Sequence, residues 1–127
     1  MTNPDGDAVE VLVVEDDDLV MNVIERTLRH AGYVVNRAAN ATEGLAAFGA
    51  NASTLRAVYL DLSLPDLPGA EVLSRLRASA PTMPVVLSSG FDPRGISNAT
   101  LASATVFLQK PFRGGELLDA MRKAIGH

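Results

Sequence analysis

An open, doubly wound α/β fold is what this sequence predicts, with a five-stranded parallel sheet and helices on both faces. Three observations point there. Short apolar runs and amphipathic helical patterns alternate five times, at roughly 20–30-residue spacing. Right-handed crossovers between parallel strands place helices on each side of such a sheet. Five units are also too few to close an eight-stranded barrel.

The elements follow in order. VEVLVV (Val9–Val14) is the first strand, β-branched and ending in acids. Leu19, Val20, Val23, Ile24 and Leu28 then recur at three- and four-residue intervals, which predicts a helix that Gly32 stops. Tyr33–Ala39 reads as a strand near an edge, because Asn36 and Arg37 interrupt it. Asn40 with Glu43 three residues on has the pattern of a capping box, and EGLAAF continues as a short helix. RAVYL is the third strand and runs straight into Asp61. DLSLPDLPG is a loop in which Pro65 and Pro68 fix φ and Gly69 permits a turn or a first helical turn. AEVLSRLRA is a helix with Val72, Leu73 and Leu76 on its apolar side, and MPVVLSS is the fourth strand. Residues 90–104 are small and polar and predict only a weak helix around Ile96–Leu101. ATVFLQ is the fifth strand, and GELLDAMRKAI a final helix that turns Leu117, Leu118, Met121 and Ile125 inward.

Composition narrows the function. The chain has 127 residues, one ordinary domain, with a polar leader expected over residues 1–8 and the folded domain over 9–127. A formal net charge of -4 gives no electrostatic case for wrapping nucleic acid. No cysteine is present, which excludes disulfides and thiolate metal sites and fits a cytoplasmic chain. The start, MTNPDGDA, is no signal peptide, and no apolar stretch is long enough to span a membrane.

The acids are placed pointedly. In open α/β sheets, functional loops gather beyond the carboxyl ends of the strands, around the point where strand order reverses. Glu15, Asp16, Asp61, Ser89 and Lys110 all fall within about a residue of such an end. If the strands run 2-1-3-4-5, the first and third are neighbours, and Asp16 and Asp61 share one crevice. Crowded carboxylates repel, and a hard cation such as Mg²⁺, with oxygen ligands, offsets that repulsion. A lysine supplies a compact positive centre for a phosphate oxygen, and a serine a hydroxyl. Together these groups compose a phosphoryl site in which a carboxylate can attack. Taken singly, each has an ordinary explanation: Asp61 as a turn former, Lys110 as a surface lysine, Ser89 as a partner of backbone. Asp18 suits a helix N-terminus, and Asp17 is expected to face solvent.

From about Glu10 to Ile125 the sequence resembles the response-regulator receiver family, which accepts phosphate from sensor histidine kinases. VLVVEDD resembles the family's acidic-pair motif, LDLSLPDLPG its phosphoacceptor motif and KPF its lysine-proline signature. The resemblance implies a flavodoxin-like strand order 2-1-3-4-5. It makes Asp61 the phosphoacceptor, with Glu15, Asp16, Asp61 and the Ser63 backbone carbonyl around Mg²⁺, for which Mn²⁺ could substitute. Lys110 would contact the phosphoryl group, and the bond to Pro111 is commonly cis in the family. The switch hydroxyl is expected five residues after the proline that opens strand four, which from Pro84 gives Ser89; Ser88 is the runner-up. Phe107 matches the aromatic switch position. Glu15 departs from the usual aspartate, and FDPRGISNATLASATV is poor in large apolar residues for a fourth helix.

The implied partner is a histidine kinase or a histidine phosphotransfer protein, with the downstream protein open and a homodimer on phosphorylation compatible with the family. The chain would be a free-standing receiver or one excised from a hybrid kinase or multidomain regulator. It would not be an enzyme on foreign substrates. A phosphohydrolase of the aspartyl-phosphate type is the catalytic rival, but such enzymes place a second Asp where Ser63 stands. A protein-binding module with an inert pocket is the other. EDDDLV after the first strand is unlike the glycine loop that cradles a pyrophosphate.

Overall fold

The computed structural model describes residues 8–126, so the leader expected over 1–8 lies, apart from Ala8, outside the described residues. The chain runs β1 (Glu10–Val14), α1 (Asp18–His30), β2 (Val34–Ala38), α2 (Ala41–Asn51), β3 (Leu55–Asp61), α3 (Gly69–Ser79), β4 (Val85–Ser89), a 3₁₀ turn (Pro93–Gly95), α4 (Asn98–Ser103), β5 (Val106–Gln109) and α5 (Gly114–Ile125). All strand pairs are parallel and the sheet order is β2-β1-β3-β4-β5. The predicted architecture is the observed one.

Alternation along each strand sends side chains to two separate cores. Val11, Val13, Ala57, Tyr59, Val86 and Leu108 meet the apolar faces of α1 and α5 on one side. Leu12, Val14, Val58, Leu60, Val85 and Leu87 meet α2 and α3 on the other, with Phe107 packed against them. Each buried Val or Leu contributes about 1.5–3 kcal/mol relative to exposure, so both cores matter to stability.

Local chemistry sets the element ends. Asp17 faces solvent as expected and also caps α1: its carboxylate accepts the backbone N–H groups of Leu19 at 2.9 Å and Val20 at 3.1 Å. The Asx side chain is short enough to reach these unpaired donors, as a solvated acid elsewhere on the helix would not. After α1 the chain turns through Gly32, whose φ of 96° favours a residue without Cβ. Asn40 caps α2 by accepting the Glu43 N–H at 2.8 Å. The return bond of the expected capping box falls one residue early, because Glu43 accepts the Ala39 N–H at 3.1 Å.

A second cap on α2 comes from the β3–α3 loop. Asp66 accepts the N–H of Ala41 at 2.8 Å and of Thr42 at 2.9 Å, and the Thr42 hydroxyl at 2.7 Å. The Thr42 hydroxyl and these amides hold its carboxyl well below the usual range. Gly69 closes the same loop: a Cβ there would lie 2.4 Å from Leu62 Cα and 2.6 Å from the Asp61 carbonyl oxygen. Only glycine lets α3 begin that close to β3.

The weak helix expected around Ile96–Leu101 lies two residues later, over Asn98–Ser103, and buries no residue. Ser97 sets its start by accepting the Thr100 N–H at 3.1 Å. Arg77 of α3 ties down its end, donating from Nε to Ser103 O at 2.8 Å and from a terminal guanidinium nitrogen to Met83 O at 2.6 Å.

Candidate functional site

β1 and β3 are adjacent, with Val14 opposite Leu60, so the residues that follow them emerge together at the carboxyl edge of the sheet. One carboxylate oxygen from each of Glu15, Asp16 and Asp61 lies within 4.8 Å of the others. Glu15 and Asp61 are each 1% exposed, whereas Asp16 is open to solvent. Lys110, just past β5, reaches across β4: its Nζ is 2.7 Å from Glu15 Oε1 and 3.2 Å from Asp61 Oδ2. The Lys110–Pro111 peptide bond is cis.

Each buried acid has further donors. Glu15 Oε2 accepts the Asp17 N–H at 3.2 Å, and Tyr59 donates its hydroxyl to Glu15 Oε1 at 3.3 Å. Asp61 Oδ1 accepts the Ser63 N–H at 3.1 Å, which places exposed Ser63 beside the acid on its loop. Burial pushes the Glu15 carboxyl up, and the Lys110 ammonium only partly offsets this. Burial alone would lower the Lys110 ammonium, but Glu15 and Asp61 outweigh it and raise the group. Burial drives the Tyr59 phenol far above its ordinary range.

Three carboxylates thus face one ammonium, with oxygen the only donor in the cluster. That donor set suits a hard divalent cation such as Mg²⁺, and exposed Asp16 opens the cluster to water that such an ion retains.

The remaining candidates are placed differently. Ser89 is fully buried, and its Oγ accepts the Phe91 N–H at 2.9 Å. By alternation with Val85 and Leu87 it belongs to the α2–α3 side of the sheet, and none of its hydrogen bonds reaches Asp61. Ser88 is the register partner of Asp61 and, following Val86, lies on the α1–α5 side. Its Oγ is buried and makes no hydrogen bond of ordinary length, although it is near enough to Tyr59 to ease that phenol's ionisation. Phe107 is half-buried opposite Leu87, on the side away from Lys110.

Tyr59 is the residue that inspection of the sequence passes over. Within RAVYLD it reads as one more strand aromatic; its only signal is a polar tip two residues before Asp61, on the same face.

Residues 11–122 match the family model for the response regulator receiver domain. The chain belongs to that family. Among curated relatives, it is 37% identical over 117 residues to the uncharacterised transcriptional regulatory protein YkoG of Bacillus subtilis, covering 91% of this chain and 50% of the relative. It is 32% identical over 123 residues to the probable transcriptional regulatory protein TcrX of Mycobacterium tuberculosis, covering 96% of this chain and 52% of the relative. The receiver therefore spans about half the length of the curated relatives it matches. Among solved structures, a receiver domain protein from Clostridium thermocellum superposes with a TM-score of 0.85 at 28% identity, covering 93% of this chain and 94% of that one. A putative response regulator from Chloroflexus aurantiacus gives 0.84 at 30% identity, covering 94% and 99%. Among the described residues, no helix of this receiver is long and apolar enough to cross a membrane.

Proposed function

We propose that this receiver is the phosphoacceptor of a two-component or phosphorelay pathway, taking a phosphoryl group onto Asp61 from the phosphohistidine of a kinase or phosphotransfer protein. The observation that carries the reading is the convergence of Glu15, Asp61 and Lys110 from the ends of three strands, with Lys110 Nζ 2.7 Å from Glu15 and 3.2 Å from Asp61. An Asp61 carboxylate oxygen attacks phosphorus; the new O–P bond forms as the N–P bond of the donor breaks, and the electron pair returns to the imidazole. Lys110, already beside Asp61 Oδ2, turns its ammonium to an incoming phosphoryl oxygen. Asp16, Asp61 and the Ser63 carbonyl would hold Mg²⁺ or Mn²⁺, with Glu15 in its outer shell. The ion would neutralise charge on the transferring oxygens.

Ser89 is the proposed switch hydroxyl. Its side chain belongs to the α2–α3 side, so to donate its O–H to a phosphoryl oxygen it must turn toward Asp61, and the Phe91 N–H that its Oγ accepts links this movement to the β4–α4 loop. Phe107, on β5 opposite Leu87 and packed on the same side as Ser89, is the proposed second half of the switch. The phosphorylated carboxylate is later hydrolysed, water supplying the new P–O bond and the Asp61 carboxylate leaving as the restored acceptor, so the protein acts on itself rather than as an enzyme on foreign substrates.

Phosphotransfer from a panel of histidine kinases, with and without Mg²⁺, tests this reading. Rapid, Mg²⁺-dependent labelling that Asp61→Asn abolishes is expected. Equal labelling of Asp61→Asn moves the acceptor to another residue and overturns the reading, and no labelling from any kinase or from acetyl phosphate points instead to a protein-binding module with an inert pocket. Sustained release from a generic phosphomonoester points to a phosphohydrolase.

A further inference from the structure

Tyr59 lies two residues before Asp61 on β3 and faces the same side of the sheet. It is fully buried, with its ring edge-on to Phe112 at 6.2 Å and 64°. A buried phenol needs a hydrogen-bond partner. This one finds it not in the backbone but in Glu15 Oε1, at 3.3 Å.

Glu15 itself is a buried carboxylate that protein donors must satisfy. At 1% exposure its carboxylate depends on Lys110 and Tyr59 at Oε1 and on the Asp17 N–H at Oε2. Lys110 is shared with Asp61 at 3.2 Å, and it is the one donor on a long, flexible stem. When Lys110 moves to a phosphoryl oxygen, Tyr59 alone still serves Oε1. The phenol is fixed by its packing and cannot follow the lysine.

We propose that Tyr59 is a positioning residue of the phosphoacceptor site: its hydroxyl keeps Glu15 satisfied and aimed at Asp16 and Asp61 while Lys110 leaves for the phosphoryl group. This rests on Asp61 being the phosphoacceptor. A phenylalanine would fill the same core volume, but Glu15 Oε1 would then hold Lys110 as its only donor, so the lysine is released less readily and the carboxylate is less well aimed.

The test uses the full chain and reads Mg²⁺ affinity by titration calorimetry beside the rate of Asp61 labelling by acetyl phosphate. Tyr59→Phe is expected to weaken Mg²⁺ binding by about tenfold, the usual effect of losing a group that orients a metal-site carboxylate. Labelling at saturating Mg²⁺ should also slow. Glu15→Asp withdraws the carboxylate by one methylene from the phenol's reach, so Tyr59→Phe should have no further effect in that background. Unchanged Mg²⁺ affinity in Tyr59→Phe, or the same loss in the Glu15→Asp background, overturns the proposal. Should Tyr59→Phe fail to fold, the tyrosine ultraviolet difference spectrum on adding Mg²⁺ decides. A perturbation present in wild type and absent in Glu15→Asp supports the proposal, and no perturbation in wild type overturns it. A wild type that neither binds Mg²⁺ nor labels sinks the phosphoacceptor reading instead, so the two failures are distinct.

Discussion

Lys110 holds two buried carboxylates at once, and this makes it a competitor of any cation they might bind. At the few-ångström distances of this cluster, charges interact by about 4 kcal/mol per pair at an effective dielectric constant near 20. Lys110→Ala should therefore tighten Mg²⁺ binding while slowing phosphotransfer by at least an order of magnitude; calorimetry and labelling kinetics would show the opposite movements. Asp66 has a different task. Its folded pKa is depressed by Thr42 and by the α2 amides, so its stabilisation is fully present above the ordinary Asp pKa of about 3.9 and is lost as pH falls through the folded value. The melting temperature of Asp66→Ala should lie below wild type at neutral pH, and the gap should narrow on strong acidification. Little of this was readable beforehand: Asp66 caps a helix that precedes it by 24 and 25 residues, and no local pattern announces a cap supplied from another loop.

Among the elements, α3 and α4 carry the sharpest expectations. Gly69→Ala must push α3 off the Asp61–Leu62 backbone, where its Cβ would sit at 2.4 Å from Leu62 Cα. A cost of about 1–3 kcal/mol is expected from overpacking, read by urea denaturation, with slower labelling because Asp61 moves with its backbone. Arg77→Ala removes the guanidinium that joins α3 to Ser103, Ala80 and Met83. Hydrogen exchange over residues 98–105 should quicken while β1 and β3 stay protected. The strands and the long helices were legible because their apolar residues repeat with a clear period. The fourth helix was legible only as a weak one set two residues early, since a six-residue element that buries nothing leaves no period to read. Its location depends on Ser97 and Arg77, a cap and a distant side chain.

For the whole molecule, the clustered carboxylates predict a stability that depends on divalent cation. A ligand that binds only the folded state adds about 2.7 kcal/mol at a hundred times its Kd. Mg²⁺ should raise the melting temperature of wild type, chelation should reverse it, and Asp16→Asn should blunt the response, all measurable by calorimetry. That Glu15, Asp16, Asp61 and Lys110 meet was legible from strand ends, because parallel topology brings those ends to one edge, whereas Ser89 makes no bond to Asp61 and Phe107 packs on the other side. Its internal wiring was not: that Lys110 leans closer to Glu15 than to Asp61, and that Tyr59 joins them, depends on side-chain reach rather than on spacing.

The division of the interior by the sheet has a practical corollary. Glu15 and Lys110 converge with Tyr59, which packs with α1 and α5, while α2 and α3 pack on a distinct set of side chains. Substitutions on opposite sides of the partition should add almost independently, within about 0.3–0.5 kcal/mol. A double substitution with one change on each side should therefore melt where the two single changes together place it, whereas two changes within one cluster should not.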